Sequence, residues 1–155
     1  NAVFDDLDQG RLMADPSFLV SLPTVTDPGL APPAGGTAYL LFPAPNLDQP
    51  RPLDWTTLRG PYRDHVLRVA ERAGYHLDIE AECLVTPADW LERGYPAGTP
   101  FSAAHTFGQT GPFRTPNRLA PGVVLAGAGT TPGVGVPMVL ISGRLAAQRV
   151  LGSSR

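Results

Sequence analysis

The sequence has little of several residue types on which common kinds of protein chemistry depend. One cysteine, Cys83, stands among 155 residues, which excludes an internal disulfide and a thiolate metal cluster. Only three histidines are present, and no second ligand at metal-site spacing accompanies any of them, so no metal site is predicted. Charged residues make up 17%, the net charge is −2 and the basic residues are scattered, which argues against nucleic-acid binding.

Long apolar runs and a basic leader are also lacking. The longest apolar run, Val136–Ile141, is far shorter than the roughly 20 residues that span a bilayer. Asn1–Gly10 contains Asp5, Asp6 and Asp8 where a signal peptide would be basic. The sequence therefore predicts no membrane span, no signal peptide and a cytoplasmic location.

Glycine and proline, in contrast, are abundant, with 17 glycines and 18 prolines. A hydrophobic fraction of 43% argues against a disordered chain, and glycine does not recur at every third residue as in collagen. These observations predict a folded domain that is rich in turns or in close approaches of the backbone.

Hydrophobic periodicity predicts a chain that mixes helices and strands. Strands are predicted at Asp15–Leu22, Thr37–Phe42, Leu77–Val85 and Val123–Ala126. Helices are predicted at Trp55–Gly74, within Thr86–Gly94, and at Pro137–Leu151. Gly94–Pro121 is predicted to be a long polar loop, and Cys83 a buried, inert thiol within its strand.

The most informative segment is the last strand with the glycine-rich turn and helix that follow it. Gly127 and Gly129 fit the start of a G-x-G-x-x-G fingerprint, but Pro132 occupies the third position, and no lysine follows as in a P-loop. Such a turn exposes backbone N–H groups beside a helix N-terminus, which suits an anion or a polarised ring edge. A connection that needs glycine only for tight geometry explains the pattern as well.

Few side chains qualify as catalytic candidates. His65 and His76 lie on the polar side and at the end of the predicted central helix, where solvated side chains are expected. His105 and Arg114 lie in the long loop, where Phe113–Arg118 reads either as an anion- or ring-contacting loop or as a surface turn. No G-x-S-x-G motif or Ser-His-Asp spacing is present.

The segment LAGAGTTPGVGVPMVLISGRLAAQRV resembles the C-terminal flavin-binding signature of the phytoene desaturase (carotenoid desaturase) family, which belongs to the amine-oxidase-like FAD flavoproteins. DPSFLVSLPTVTDPGLAPPAGGTAYLLFPAPNL resembles the substrate-domain strands of that family, and TPADWLERG, HTFGQ and FRTPNR follow in matching order. The resemblance covers essentially the whole chain. Two positions depart from the family: Thr131 replaces a common histidine, and Met138 a common glycine.

The resemblance implies an α+β fold made of two parts. Residues 1–121 would be a portion of the antiparallel substrate-domain sheet with helices and connecting loops. Residues 122–155 would be the last strand-turn-helix of a Rossmann-like FAD-binding domain. Because family members are considerably longer and begin with a G-x-G-x-x-G unit, the chain is expected to be the C-terminal part of such an enzyme.

The resemblance also implies FAD as cofactor and hydride transfer from a carotenoid or similar apolar polyene. The residues implied to approach the phosphate–ribityl portion of FAD are Gly127, Ala128 and Gly129. Those implied to lie near the N1/O2 edge of the flavin ring are Gly135, Val136 and Met138. His105 and Arg114 remain the catalytic candidates, and the isolated chain is expected to be inactive without bound FAD.

Two other functions stay open. The low charge and the apolar final helix would also suit a non-catalytic module that associates with itself. An amine-oxidase relative acting on amines or porphyrinogens would carry the same flavin segment. The expected partners are the N-terminal FAD-binding part of the same protein, the polyene, a second copy in a homodimer and a membrane surface, but no nucleic acid.

Overall fold

The computed structural model describes residues 2–101 and 106–152, and the chain divides into two compact units, Asn1–Thr99 and Pro100–Arg155. The described residues form helices and two-stranded antiparallel sheets, which confirms the mixed α+β class. The resemblance implies a division at residue 121 between a substrate-domain portion and an FAD-binding portion. This division stays a prediction.

The first unit begins with a helix that was not predicted, α1 at Ala2–Asp8. Arg11 stabilises the end of this helix, because its Nη2 lies 2.6 Å from Asp6 Oδ1 and its backbone N–H donates to the Asp6 carbonyl. Both interactions satisfy groups near a helix C-terminus, where positive charge is favourable.

Two short strands follow, β1 at Leu19–Ser21 and β2 at Tyr39–Leu41, and they pair antiparallel. Both lie inside predicted strands. Next to this pair the rings of Phe18 and Phe42 stack with centroids 4.7 Å apart.

Helix α2 spans Trp55–Arg72 and confirms the predicted central helix. Asp54 caps its N-terminus by accepting a hydrogen bond from the Thr56 backbone N–H, and hydrogen bonds from the Thr56 side chain and backbone lower the pKa of this carboxyl. Gly74 follows the C-cap with φ +94°, the left-handed conformation that favours glycine there. The buried residues of α2 are Trp55, Val69 and Ala70.

The strand predicted at Leu77–Val85 is wrong, because this segment is irregular. Its backbone groups bond elsewhere: Arg59 Nη2 donates to the Leu84 carbonyl at 2.6 Å. Cys83 is exposed, so the prediction of a buried thiol is also wrong, and for the same reason. Without a ladder there is no sheet face to bury it.

Helix α3 spans Pro87–Glu92 and begins as predicted. Thr86 and Asp89 form a reciprocal capping box: the Thr86 hydroxyl accepts from the Asp89 backbone N–H, and the Asp89 carboxylate accepts from the Thr86 backbone N–H. Proline at the first helical position needs no N–H partner there, so the sequence signal and the structure agree.

The second unit contains β3 at Arg118–Ala120, β4 at Val123–Val124 and helix α4 at Val136–Val150. Strands β3 and β4 pair antiparallel around Gly122. Strand β3 lies within the predicted loop Gly94–Pro121, so that prediction is wrong at its end. No helix among residues 2–101 and 106–152 is long and apolar enough to cross a membrane.

Burial differs between the two units. The buried side chains of Met13, Trp55, Val69 and Ala70 are apolar, and all four belong to the first unit. The second unit buries the polar side chains of Arg114, Asn117, Thr130 and Ser142. Because buried polar groups are costly without partners, the contacts of these four residues explain how the second unit is held together.

Candidate functional site

The glycine-rich turn between β4 and α4 rests on the segment Arg114–Asn117, here called the brace segment. At the start of the turn, the Leu125 N–H donates to the Asn117 carbonyl at 2.6 Å. At its far side, the Thr131 N–H donates to the Thr115 carbonyl at 2.9 Å. The two ends of the turn are thus fixed to positions only two residues apart.

Arg114 holds the middle of the turn. Its Nη2 donates to the Ala128 carbonyl at 2.5 Å, its Nη1 donates to the Gln109 carbonyl at 3.3 Å, and the residue is only 5% exposed. The structure therefore places this catalytic candidate against the turn predicted to contact the cofactor. A catalytic role for Arg114 stays a prediction, and His105 lies outside the described residues.

The two threonines of the turn add side-chain contacts to the same segment. Thr130 is buried and its hydroxyl donates to the Thr115 carbonyl at 2.8 Å. The Thr131 hydroxyl donates to Asn117 Oδ1 at 3.2 Å. The position at which Thr131 departs from the resembled family therefore takes part in holding the turn.

Asn117 lies at the centre of these contacts and was not singled out as a site residue by the sequence. Its Nδ2 donates to the Leu125 carbonyl at 3.0 Å and to Ser142 Oγ at 3.2 Å. Its Oδ1 accepts from the Thr131 hydroxyl and, at 2.6 Å, from Arg149 Nη1. The side chain thus links the turn to helix α4.

Gly127 turns its N–H toward the protein. This N–H donates to Ser142 Oγ at 3.0 Å, and Ser142 is fully buried on α4. The φ of Gly127 is +115°, which explains why glycine is needed there. The expected approach of Gly127 to a cofactor is therefore not through its own N–H.

Gly129 has a different environment. Its φ is not in the left-handed region, and a Cβ added there would meet no atom within 4 Å in the part of the chain that the structure describes. The described protein thus imposes no need for glycine at this position. Glycine at this position would let another molecule come close to the backbone, and the open surroundings leave room for one.

Helix α4 begins at Val136 after Gly135, whose φ is +103°. No side chain of the described residues caps this end, and the first backbone N–H groups of a helix have no partner within it. Val136 and Met138 are exposed at this end, and Pro137 between them has no N–H. The start of α4 therefore offers N–H groups that lack a partner within the helix, together with the positive end of the helix dipole.

The described residues contain no group of three or more histidine, cysteine, aspartate or glutamate side chains that could hold a metal ion. The donors at the turn are backbone N–H groups and a helix terminus. This set suits an anionic or polarised organic group.

Comparison with known proteins agrees with this chemistry. A family model described as flavin containing amine oxidoreductase matches residues 52–151, more than half of the chain. The chain belongs to the flavin-containing amine oxidoreductase family. The matched residues include the whole brace segment, the glycine-rich turn and all of α4.

Curated proteins with similar sequences include a phytoene dehydrogenase and a phytoene desaturase. A phytoene dehydrogenase of Streptomyces griseus is 56% identical over 150 residues, which cover 92% of this chain and 29% of that protein. A zeta-carotene-forming phytoene desaturase of Myxococcus xanthus is 40% identical over 156 residues, 96% of this chain and 30% of that protein. The chain thus spans less than a third of the length of these curated relatives.

The residues of the turn fit the flavin for which the family is named. Gly129 leaves the backbone open to close approach, and the start of α4 directs N–H groups and positive charge outward. The resemblance implied that Val136 and Met138 lie near the N1/O2 edge of the flavin ring, and that Ala128, whose carbonyl accepts from Arg114, approaches the phosphate–ribityl portion. These four cofactor assignments, and those of Gly127 and Gly135, stay predictions.

Proposed function

We propose that the protein containing this chain is an FAD-dependent oxidoreductase that dehydrogenates a carotenoid or a similar apolar polyene. The observation that supports this most strongly is the 56% identity to a phytoene dehydrogenase over nearly the whole chain. The aligned residues cover 92% of the chain and therefore include residues of both compact units, so the similarity is not limited to a general flavin motif.

In this proposal, the chain supplies a portion of the substrate domain and the last strand-turn-helix of a Rossmann-like FAD-binding domain. Bound FAD would accept hydride from the polyene. Gly127, Ala128 and Gly129 would allow the backbone to approach the phosphate–ribityl portion. Gly135, Val136 and Met138 would hold the helix start near the N1/O2 edge, where the helix dipole stabilises developing negative charge.

The test is carried out with the full-length protein. It is expected to purify with the visible absorbance of a flavin and to convert phytoene in lipid vesicles to products that have lost pairs of hydrogens, measured by chromatography and mass spectrometry. Bound flavin with turnover of an amine or a porphyrinogen, and none of phytoene, would favour the other amine-oxidase-like substrates. Full-length protein without flavin would overturn the proposal.

The isolated 155-residue chain is proposed to bind no FAD and to have no turnover, because the N-terminal part of the same protein would hold the rest of the dinucleotide. Titration of the isolated chain with FAD tests this. Flavin fluorescence quenching or a stable flavin spectrum in the isolated chain would contradict it.

Self-association is the second candidate function, and exposed side chains of α4 favour it. Val136, Leu140 and Val150 are between 69% and 75% exposed. Such apolar surface is usually covered by a partner. Light scattering is expected to show a homodimer or larger species if a second copy covers it, whereas a stable monomer would count against this function.

The proposal also includes a cytoplasmic location with peripheral contact to a membrane. Membrane contact is expected because an apolar polyene resides in lipid. Co-sedimentation of the full-length protein with phospholipid vesicles tests it. Recovery of all the protein in the supernatant, with and without phytoene in the vesicles, would contradict membrane contact.

A further inference from the structure

The amide of Asn117 uses its full hydrogen-bonding capacity inside the second unit. A primary amide has two N–H donors and an oxygen that accepts twice. Nδ2 donates to the Leu125 carbonyl and to Ser142 Oγ, and Oδ1 accepts from Thr131 and Arg149. The residue is 1% exposed, so water does not replace any of these partners. Since a carbonyl can only accept and a guanidinium can only donate, the partners also fix the orientation of the amide.

Two of these partners belong to helix α4 and lie on one of its faces. Ser142 and Arg149 are seven residues apart, which is about two turns, or roughly 10 Å along the helix axis. Contacts at two heights on one face define both the rotation of a helix about its axis and its position along it. Asn117 therefore fixes the setting of α4 against the turn.

The other two partners belong to the glycine-rich turn. The Leu125 carbonyl lies at its start and the Thr131 hydroxyl on its far side. Ser142 adds a parallel connection, because its Oγ also accepts from the Gly127 N–H. The turn and the helix start at Val136 are consequently positioned by one shared set of buried bonds.

We propose that Asn117 is a positioning residue that sets the N-terminus of α4 relative to the flavin ring and thereby sets the affinity and the reduction potential of the bound flavin. This inference rests on the proposed function, because it requires FAD at the turn. Asn117 does not touch the cofactor in this role. It acts through Ser142 and the backbone of the turn.

Only an amide of this length satisfies the four partners. Asn117→Asp places a second oxygen opposite the Leu125 carbonyl and Ser142 Oγ and removes both donors. Asn117→Ala leaves the partners without their buried bonds, and glutamine adds a methylene to a site that is already closed. Ser142→Ala is milder, because the contacts of Asn117 with Thr131 and Arg149 remain.

The experiment compares full-length wild-type protein with Asn117→Asp, Asn117→Ala and Ser142→Ala. FAD affinity is measured by titration of the apoprotein, and the midpoint potential of the bound flavin by equilibration with reference dyes. We expect FAD binding to weaken about tenfold or more in the Asn117 variants. The midpoint potential is expected to become more negative by about 30 mV. This shift corresponds to a variant in which the affinity for reduced flavin falls about ten times further than the affinity for oxidised flavin. Ser142→Ala should change both in the same direction by less.

Asn46→Ala is the matched control. Asn46 is an exposed asparagine of the first unit that accepts a hydrogen bond from the Asp48 N–H within a turn. Its loss should leave FAD affinity and potential unchanged. Since loss of stability alone does not move a midpoint potential, the potential separates positioning from a general effect on folding.

The outcomes distinguish the two proposals. Wild-type protein that holds FAD, with potentials of Asn117→Ala and Ser142→Ala equal to that of wild type, would overturn the positioning role and leave the proposed function standing. Wild-type protein that holds no FAD would overturn the proposed function and this inference with it. If Asn117→Ala does not fold, an unchanged potential in Ser142→Ala overturns the inference by itself.

Discussion

Asn117 Nδ2 and Ser142 Oγ lie 3.2 Å apart inside the second unit, although 25 positions separate these residues along the chain. Around this contact the unit buries polar side chains, while several apolar side chains of α4 face outward. Hydrogen bonds with defined direction therefore determine the shape of this unit more than apolar packing does. Single polar substitutions should accordingly have large and specific effects.

Ser142→Ala is expected to destabilise the second unit by about 1–3 kcal/mol, because it removes the acceptor of one buried and one half-buried N–H donor. Urea unfolding of the full-length protein, followed by a probe in the second unit, measures this change. The matched control is Ser17→Ala at an exposed serine, where a change within about 0.5 kcal/mol is expected. Equal effects of the two substitutions would show that the Ser142 contacts contribute nothing.

Gly129→Ala and Gly127→Ala should separate cofactor contact from backbone geometry. Gly129 has neither left-handed φ nor a nearby atom, so alanine should leave stability within about 0.5 kcal/mol of wild type and weaken FAD binding only. Alanine at Gly127, where φ is +115°, should cost about 1–3 kcal/mol of stability in addition. Thermal unfolding of apoprotein and FAD titration are the measurements. Normal FAD binding by Gly129→Ala would show that no close approach occurs there.

Arg114→Ala should reveal whether this side chain acts through the turn or in the chemistry. Since its Nη2 holds the Ala128 carbonyl, we expect about tenfold weaker FAD binding, with the rate of flavin reduction by substrate largely preserved once FAD is saturating. Arg114→Lys keeps the charge but not the forked donors, so it should restore binding only in part. A large loss of the reduction rate at saturating FAD would instead support the catalytic role.

The capping box of α3 should make the stability of the first unit depend on pH. Burial raises the pKa of Asp89, but hydrogen bonds from Thr86 and Arg59 outweigh it and lower the pKa below its ordinary value of 3.8. The carboxylate therefore stabilises the fold fully above the pKa of the unfolded group, and this contribution is lost as the pH falls through the folded pKa. Thermal unfolding of wild type and Asp89→Asn across the acid range measures it. The difference between them should shrink with falling pH, and a constant difference would contradict the assignment.

Local signals in the sequence predicted much of the first unit. The apolar spacing of α2 and Gly74 after it gave the helix its bounds, and Thr86 followed by Pro87 and Asp89 gave the start of α3. The prediction of a strand at Leu77–Val85 was wrong, because alternating apolar residues are a property of one segment and do not show whether a second strand pairs with it. The Leu84 carbonyl bonds to Arg59, 25 positions away, and no local pattern contains that information.

The candidate site was predictable in its backbone and not in its side chains. Glycines before an apolar helix are a visible pattern, and Gly127 and Gly135 indeed adopt the left-handed conformations that require glycine. The sequence indicated only that Asn117 lies in a polar loop next to Arg118. Its importance arises from partners at residues 125, 131, 142 and 149, which only the folded chain brings to one amide.

The brace segment and the residues that it contacts are also close together along the chain. The longest separation among the hydrogen bonds described for the turn is the 32 positions between Asn117 and Arg149. Closing such short loops costs little chain entropy and takes place early compared with long-range pairing. The second unit can therefore form from contacts between residues that lie close together along the chain.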